Sequence, residues 1–170
     1  ALPILLETTR LNGEGKNIIK EKIKIADFLS EIIVPYEMIA KAKKIHFSVN
    51  ISSDDEIVTD KNLLRKAISN IIMNAVLYTE TGKSVELNYT QYMLEIVNEG
   101  EIIEGENLKK IFEPFFRMES SHSREHGGSG LGLYIVHTIL TILDIPYDFR
   151  KNHTNESQMK FVIYFRNKIK

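Results

Sequence analysis

The sequence predicts an α+β fold: a two-layer sandwich in which a mixed sheet of about five strands carries helices on one face. Three observations lead there. Apolar residues recur at helical spacing in long stretches and alternate in several short ones. The short runs toward the C-terminus come in hairpin-like pairs, which disfavours a doubly wound parallel sheet. A length of 170 residues suits one core, able to bury roughly two-thirds of the unfolded surface.

Leu2, Leu5 and Leu6 share one helical face, so residues 2–11 read as the end of a helix or, equally, as a frayed arm. Asn12-Gly13-Glu14-Gly15 breaks it and sets residues 1–16 apart from a folded domain over 17–170. A helix opens at Ala26 or Asp27 and carries Phe28, Leu29, Ile32, Ile33, Tyr36 and Ile39 to about Lys43. Pro35 inside it is predicted to kink or split it. Phe47 to Ile51 alternates as a strand, and Ile57-Val58-Thr59 is a second, shorter one. Asp60 caps a long helix from Lys61 to about Tyr78. Val85–Tyr89 and Met93–Val97 alternate around a turn, as a hairpin does. A short helix near Asn107 to Phe112 precedes an aperiodic loop over 113–129, of a length that is usually functional or disordered. The next helix, Leu131 to Leu143, starts directly after glycines. Tyr147–Arg150 and Met159–Phe165 supply the last strands, joined by the polar turn Asn152 to Ser157.

The composition is that of an ordinary globular protein, 43% hydrophobic and 26% charged. A net charge of -1 argues against a broad basic surface for nucleic acid. The chain has no cysteine, so neither a disulfide framework nor a thiolate metal site is available. No apolar run approaches the roughly 18 residues that span a bilayer. The opening Ala1-Leu2-Pro3 lacks the features of a signal peptide. The expectation is a piece of a longer protein, one that has lost a membrane-bound part.

Four stretches carry candidate chemistry. Gly127-Gly128-Ser129-Gly130-Leu131-Gly132-Leu133 runs into a helix. Glycines allow close backbone approach, and a helix start offers free N–H groups to phosphate. A flexible loop before a helix would show the same letters. Neither a Walker sequence nor the protein-kinase set is present. Asn70 and Asn74 lie four apart on an otherwise apolar stripe with Leu63, Ala67 and Leu77. Asparagine is a poor helix-interior residue, so the pair suggests a shared polar ligand; solvent-facing asparagines are the plain alternative. Asn98-Glu99-Gly100 ends a strand and suits a small ligand, or any turn. Ile111 to Arg117 clusters phenylalanines around Pro114 and ends in a cation. Its phenylalanines serve equally as a hydrophobic anchor.

Taken in order, these stretches resemble the ATP-binding catalytic domain of sensor histidine kinases, within the wider family of gyrase, chaperone and mismatch-repair ATPases. Asn70 to Thr79 resembles the asparagine box, Asn98 to Gly100 the first glycine box, Phe112 to Arg117 the phenylalanine box and Gly128 to Leu133 the second glycine box. The fit spans about residues 17–167. Residues 1–16 are similar to the end of the family's dimerisation hairpin and its linker. The resemblance implies the Bergerat ATP-binding fold and a kinase that moves the ATP γ-phosphoryl group to a histidine outside this chain. It implies ATP and Mg²⁺ as ligands, Asn74 as the metal's protein ligand, and Asn70 and Arg117 as catalytic residues. Asn70, Asn74, Tyr78, Asn98, Gly100, Ile103, Phe112, Arg124, Gly128, Ser129, Gly130, Leu131, Gly132 and Leu133 form the implied nucleotide-contacting set. The implied partners are the dimerisation and phosphoacceptor domain and a response regulator. The whole protein would be a homodimer anchored in the cell membrane with this domain in the cytoplasm, and this chain a monomer.

Three positions depart from the family pattern. Asn98 stands where Asp is usual, Ile102 where a second glycine is usual, and Leu77 where Lys is common. Replacing a charged acceptor by a neutral one removes about 1 kcal/mol, roughly five- to tenfold in affinity. Asn70 replaces the Glu that activates water in hydrolytic relatives, and an amide takes up no proton at neutral pH. Slow ATP hydrolysis is therefore expected. None of the five histidines, His46, His122, His126, His137 and His153, is followed by an acidic residue as the phosphoacceptor is. Two rival readings remain at this point: a hydrolysing ATPase of the same fold, and a degenerate module that only pairs with a partner.

Overall fold

A computed structural model describes residues 17–118 and 132–165. The first helix, α1, covers Ile25–Ala42 and buries Ile25, Phe28, Leu29, Ile32, Ile33 and Ala40. Pro35 neither splits nor ends it. The proline lies on the exposed face, as does Glu31 one turn earlier, so the carbonyl it deprives of a partner faces water. The second helix, α2 (Lys61–Leu77), begins as expected, with Asp60 accepting from Leu63 N at 3.0 Å. The other Asp60 oxygen accepts from Ile19 N at 3.1 Å, tying the incoming chain to this helix start. A short helix α3 (Glu106–Lys110) and α4 (Gly132–Ile142) are the other helices among the described residues.

The main sheet has five strands, β2 (His46–Ile51), β4 (Ser84–Thr90), β5 (Met93–Glu99), β6 (Tyr147–Lys151) and β7 (Gln158–Tyr164), in the order β2-β4-β5-β7-β6. It is mixed: β2 runs parallel to β4, and the other neighbours are antiparallel. The strand expected at Ile57–Thr59 exists as β3 (Glu56–Asp60) but lies outside this sheet. It pairs antiparallel with β1 (Lys20–Lys24), which sequence reasoning did not anticipate. In Lys20-Glu21-Lys22-Ile23-Lys24 only Ile23 is buried, so there is no apolar alternation to read.

Side-chain alternation places Val85, Leu87, Tyr89, Leu94, Ile96, Phe161 and Ile163 in one core with α1, α2 and α4. The β4–β5 turn holds two non-glycine residues at positive φ, Gln91 (45°) and Tyr92 (65°), matching the twist of a two-residue hairpin. Asp55 secures this end of the sheet. Its Oδ2 accepts from the Tyr89 hydroxyl at 2.7 Å and from Tyr92 N at 3.1 Å.

Candidate functional site

A helix end has carbonyls without intrahelical donors. At the C-terminus of α2 each finds a partner, and those partners shape the site. Asn74 O accepts from Tyr78 N at 3.0 Å, and Ala75 O from the Thr79 hydroxyl at 2.6 Å. Lys43, just past α1, donates its ammonium to Val76 O (2.8 Å), Leu77 O (3.1 Å) and Thr79 O (3.4 Å). Burial lowers the Lys43 pKa below its ordinary value, because an ammonium loses hydration there. Tyr78 and Thr79 thereby meet the end of β5, where Thr79 bridges Gly100.

Asn98 is the last core-facing residue of β5, two beyond the buried Ile96. A polar group thus occupies a position that alternation assigns to the interior. Its Nδ2 donates to Thr79 Oγ1 at 3.3 Å. Gly100 allows this by its lack of a side chain. A Cβ there would stand 2.7 Å from Asn98 Nδ2 and 2.7 Å from Tyr78 O.

The cavity beside these groups has a volume of about 260 Å³. Asn70, Asn74, Leu77, Tyr78, Asn98, Ile103, Arg117, Gly132 and Leu133 all line it. Residues from four separate stretches of sequence therefore reach one space. Asn70 and Asn74 are half-buried, not solvent-facing. Asn70 Nδ2 donates to Lys66 O at 2.9 Å, leaving its Oδ1 toward α4. A Cβ on Gly132 would lie 3.4 Å and 3.5 Å from the Asn74 amide atoms and 3.6 Å from Asn70 Oδ1. The first turn of α4 thus faces both asparagines.

The phenylalanine stretch divides its labour. Phe116 lines the cavity, while Phe115 projects outward, 55% exposed, at a φ of 66°. Phe112 stands behind the wall, its ring 6.1 Å from Phe149 and 6.4 Å from Phe161, both of which line the space. His137 Nδ1 and the Tyr147 hydroxyl, 2.6 Å apart, close this aromatic cluster. Burial raises the Tyr147 pKa. Arg124, Gly128, Ser129, Gly130 and Leu131, with His122 and His126, lie outside the described residues.

Sequence reasoning missed Thr79 and Lys43, and the apolar wall of Met73, Ile96, Phe149, Met159 and Phe161. Thr79 sat inside a recognised box without a role. The wall residues carry ordinary core spacing, which says nothing about an adjoining cavity. Among the described residues no group of three or more His, Cys, Asp or Glu could hold a metal. Two amide side chains at one helix face still fit Mg²⁺, a hard cation that takes oxygen ligands and keeps several waters.

A five-stranded mixed sheet under helices, with asparagines and a glycine-started helix around one cavity, defines an ATPase-type nucleotide domain. Residues 59–168 match the family described as histidine kinase-, DNA gyrase B- and HSP90-like ATPase, and the chain belongs to it. Within that family it stands with the catalytic domains of sensor histidine kinases. It is 33% identical over 147 residues to sensor protein VanSB of Enterococcus faecalis, an alignment covering 84% of this chain and 33% of that protein. The chain thus spans about a third of that relative's length. The catalytic domain of histidine kinase ThkA superposes with a TM-score of 0.71 at 19% identity, covering 86% of this chain and 96% of that one. Full-length ShkA, solved in complex with AMPPNP, superposes with a TM-score of 0.77 at 20% identity, covering 95% of this chain and 34% of that one. Among the described residues no helix is long and apolar enough to cross a membrane.

Proposed function

We propose that this chain is the kinase domain of a two-component sensor protein, with Mg–ATP bound in the cavity between α2, β5 and α4. The observation that carries the reading is the convergence of Asn70, Asn74, Asn98 and Gly132 on one space from distant parts of the sequence. Adenine lies against Asn98 and Tyr78, with Ile103 and the apolar wall around it. Asn74 would hold Mg²⁺, which would supply charge neutralisation at the phosphates, and the start of α4 offers its N–H groups to the phosphates. Asn70 itself supplies no base to activate water, and Arg117, which lines the cavity, stabilises charge on the γ-phosphoryl group during transfer. An acceptor histidine nitrogen outside this chain attacks the γ-phosphorus. The bond to the bridging oxygen breaks, and ADP leaves with the electron pair. Residues 1–16 connect this domain to the dimerisation hairpin, within a homodimer anchored in the cell membrane. A response regulator then receives the phosphoryl group.

The test mixes this chain with a separately made dimerisation hairpin and γ-labelled ATP. Acid-labile label on the hairpin, lost in Asn74→Ala, is the expected result, with phosphate release much slower than transfer. Fast phosphate release without labelled hairpin, or no ATP binding in calorimetry, overturns the reading.

A further inference from the structure

Asn98 is an amide where a carboxylate would present oxygen whichever way it turned. An amide has two different ends. Its oxygen accepts from a 6-amino group on a purine, and its NH₂ donates to a 6-oxo group. Which end faces the cavity therefore decides which base edge is read. The surroundings of Asn98 remove the ambiguity. Thr79 is 1% exposed, and its hydroxyl donates its single proton to Ala75 O at 2.6 Å. The hydroxyl oxygen is left as an acceptor, and Asn98 Nδ2 donates to it at 3.3 Å. A flipped amide would set its oxygen against the lone pairs of Thr79. Turning the hydroxyl to meet that oxygen would strand the Ala75 carbonyl at the end of α2. The Gly100 backbone passes close enough to confine the amide from the other side.

We propose that Thr79 is a positioning residue for base selection: it locks Asn98 with its oxygen toward the cavity. A site with no acidic residue at this point thereby still selects 6-aminopurine over 6-oxopurine nucleoside triphosphates. The inference rests on the reading that the base sits against Asn98.

The test compares dissociation constants of Mg–ATP and Mg–ITP for the whole chain. Wild type favours ATP by about tenfold or more, the scale of one misdirected hydrogen bond in a confined site. Thr79→Val frees the amide to turn and brings the two affinities within about threefold of each other. Thr79→Ser keeps the hydroxyl and keeps the wild-type ratio. Adding Asn98→Asp to Thr79→Val restores discrimination, because a carboxylate offers oxygen in every orientation. A purely structural role for Thr79 would lower both affinities together and leave their ratio alone. A Thr79→Val protein with the wild-type ratio overturns the proposal. So does a wild type that binds ATP and ITP equally, a result that stands even if Thr79→Val does not fold. Unchanged ATP affinity in Asn98→Ala is a separate outcome: the base then sits elsewhere, and the underlying reading falls with the proposal.

Discussion

Gly100→Ala tests the geometry of the site most directly. The added methyl would meet Tyr78 O and Asn98 Nδ2, each at 2.7 Å, well inside van der Waals contact. Gly100 has no positive φ, so space is the whole constraint. The Asn98 amide can move, but Tyr78 O has little freedom. Tyr78 N is bonded to Asn74 O, and the next carbonyl, of Thr79, is held by Lys43. Overpacking against such a fixed group costs about 1–3 kcal/mol. Displacing Asn98 removes one further hydrogen bond to the base, roughly three- to tenfold in ATP affinity. Gly132→Ala is the control. Its methyl would make ordinary contacts of 3.4 to 3.6 Å with Asn74 and Asn70, and alanine favours a helix over glycine by up to ~1 kcal/mol. Its stability should hold or rise, while the methyl takes up space between the start of α4 and the asparagines and weakens Mg–ATP binding. Urea midpoints by circular dichroism, with nucleotide titrations on the same samples, give both quantities. A Gly100→Ala midpoint equal to wild type, or a greater loss in Gly132→Ala, would refute the reasoning.

Lys43→Met leaves the carbonyls of Val76, Leu77 and Thr79 without their ammonium donor. It should lower stability by about 1.5–3 kcal/mol in urea unfolding, and weaken ATP binding through Tyr78. Asn98→Asp should tighten ATP about five- to tenfold in calorimetry, as a charged acceptor replaces a neutral one. Tyr89 gives a pH signature. Burial first, then the hydrogen bond and charge of Asp55, hold its phenol protonated far above the ordinary tyrosine range. A raised folded-state pKa contributes stability that is full below the unfolded value, about 10, and is lost as pH rises beyond it. Wild type should therefore lose more stability than Tyr89→Phe between pH 8 and pH 11; equal losses would contradict the assignment.

What the sequence revealed and what it hid follow from two kinds of signal. Asp60 is legible because an N-cap is local chemistry: one side chain and one N–H three residues on. Asn70 and Asn74 are legible because polar amides break an apolar helical stripe. β1 is not, since four of its five residues are exposed and its only reason to be a strand is β3. Lys43 is hidden for the same reason. Nothing near it in the chain announces that its ammonium caps a helix more than thirty residues away. Pro35 sits inside a helix it does not split, because its effect depends on which way the helix faces. Local capping, turn and periodicity rules carry across a sequence. Pairings that depend on where distant carbonyls end up do not.

Those distant pairings also explain how the site tolerates a neutral Asn98. A carboxylate at the end of β5 would read an amine by charge and would need no help with orientation. An amide needs a neighbour whose hydrogen-bonding role is already settled. That neighbour is Thr79, and its role is settled by Ala75 O, one of the carbonyls that any helix ending there must satisfy. The same end of α2 is held on its other carbonyls by Lys43. Loosening the lysine should therefore reach the base edge through Tyr78 and Thr79 without any residue in the cavity being changed. Lys43→Met should reduce ATP affinity yet leave the ATP-to-ITP ratio intact, because the Thr79 hydroxyl keeps its bond to Ala75 O. A ratio that collapses in Lys43→Met as it does in Thr79→Val would mean that the backbone position, and not the direction of one hydroxyl proton, orients Asn98.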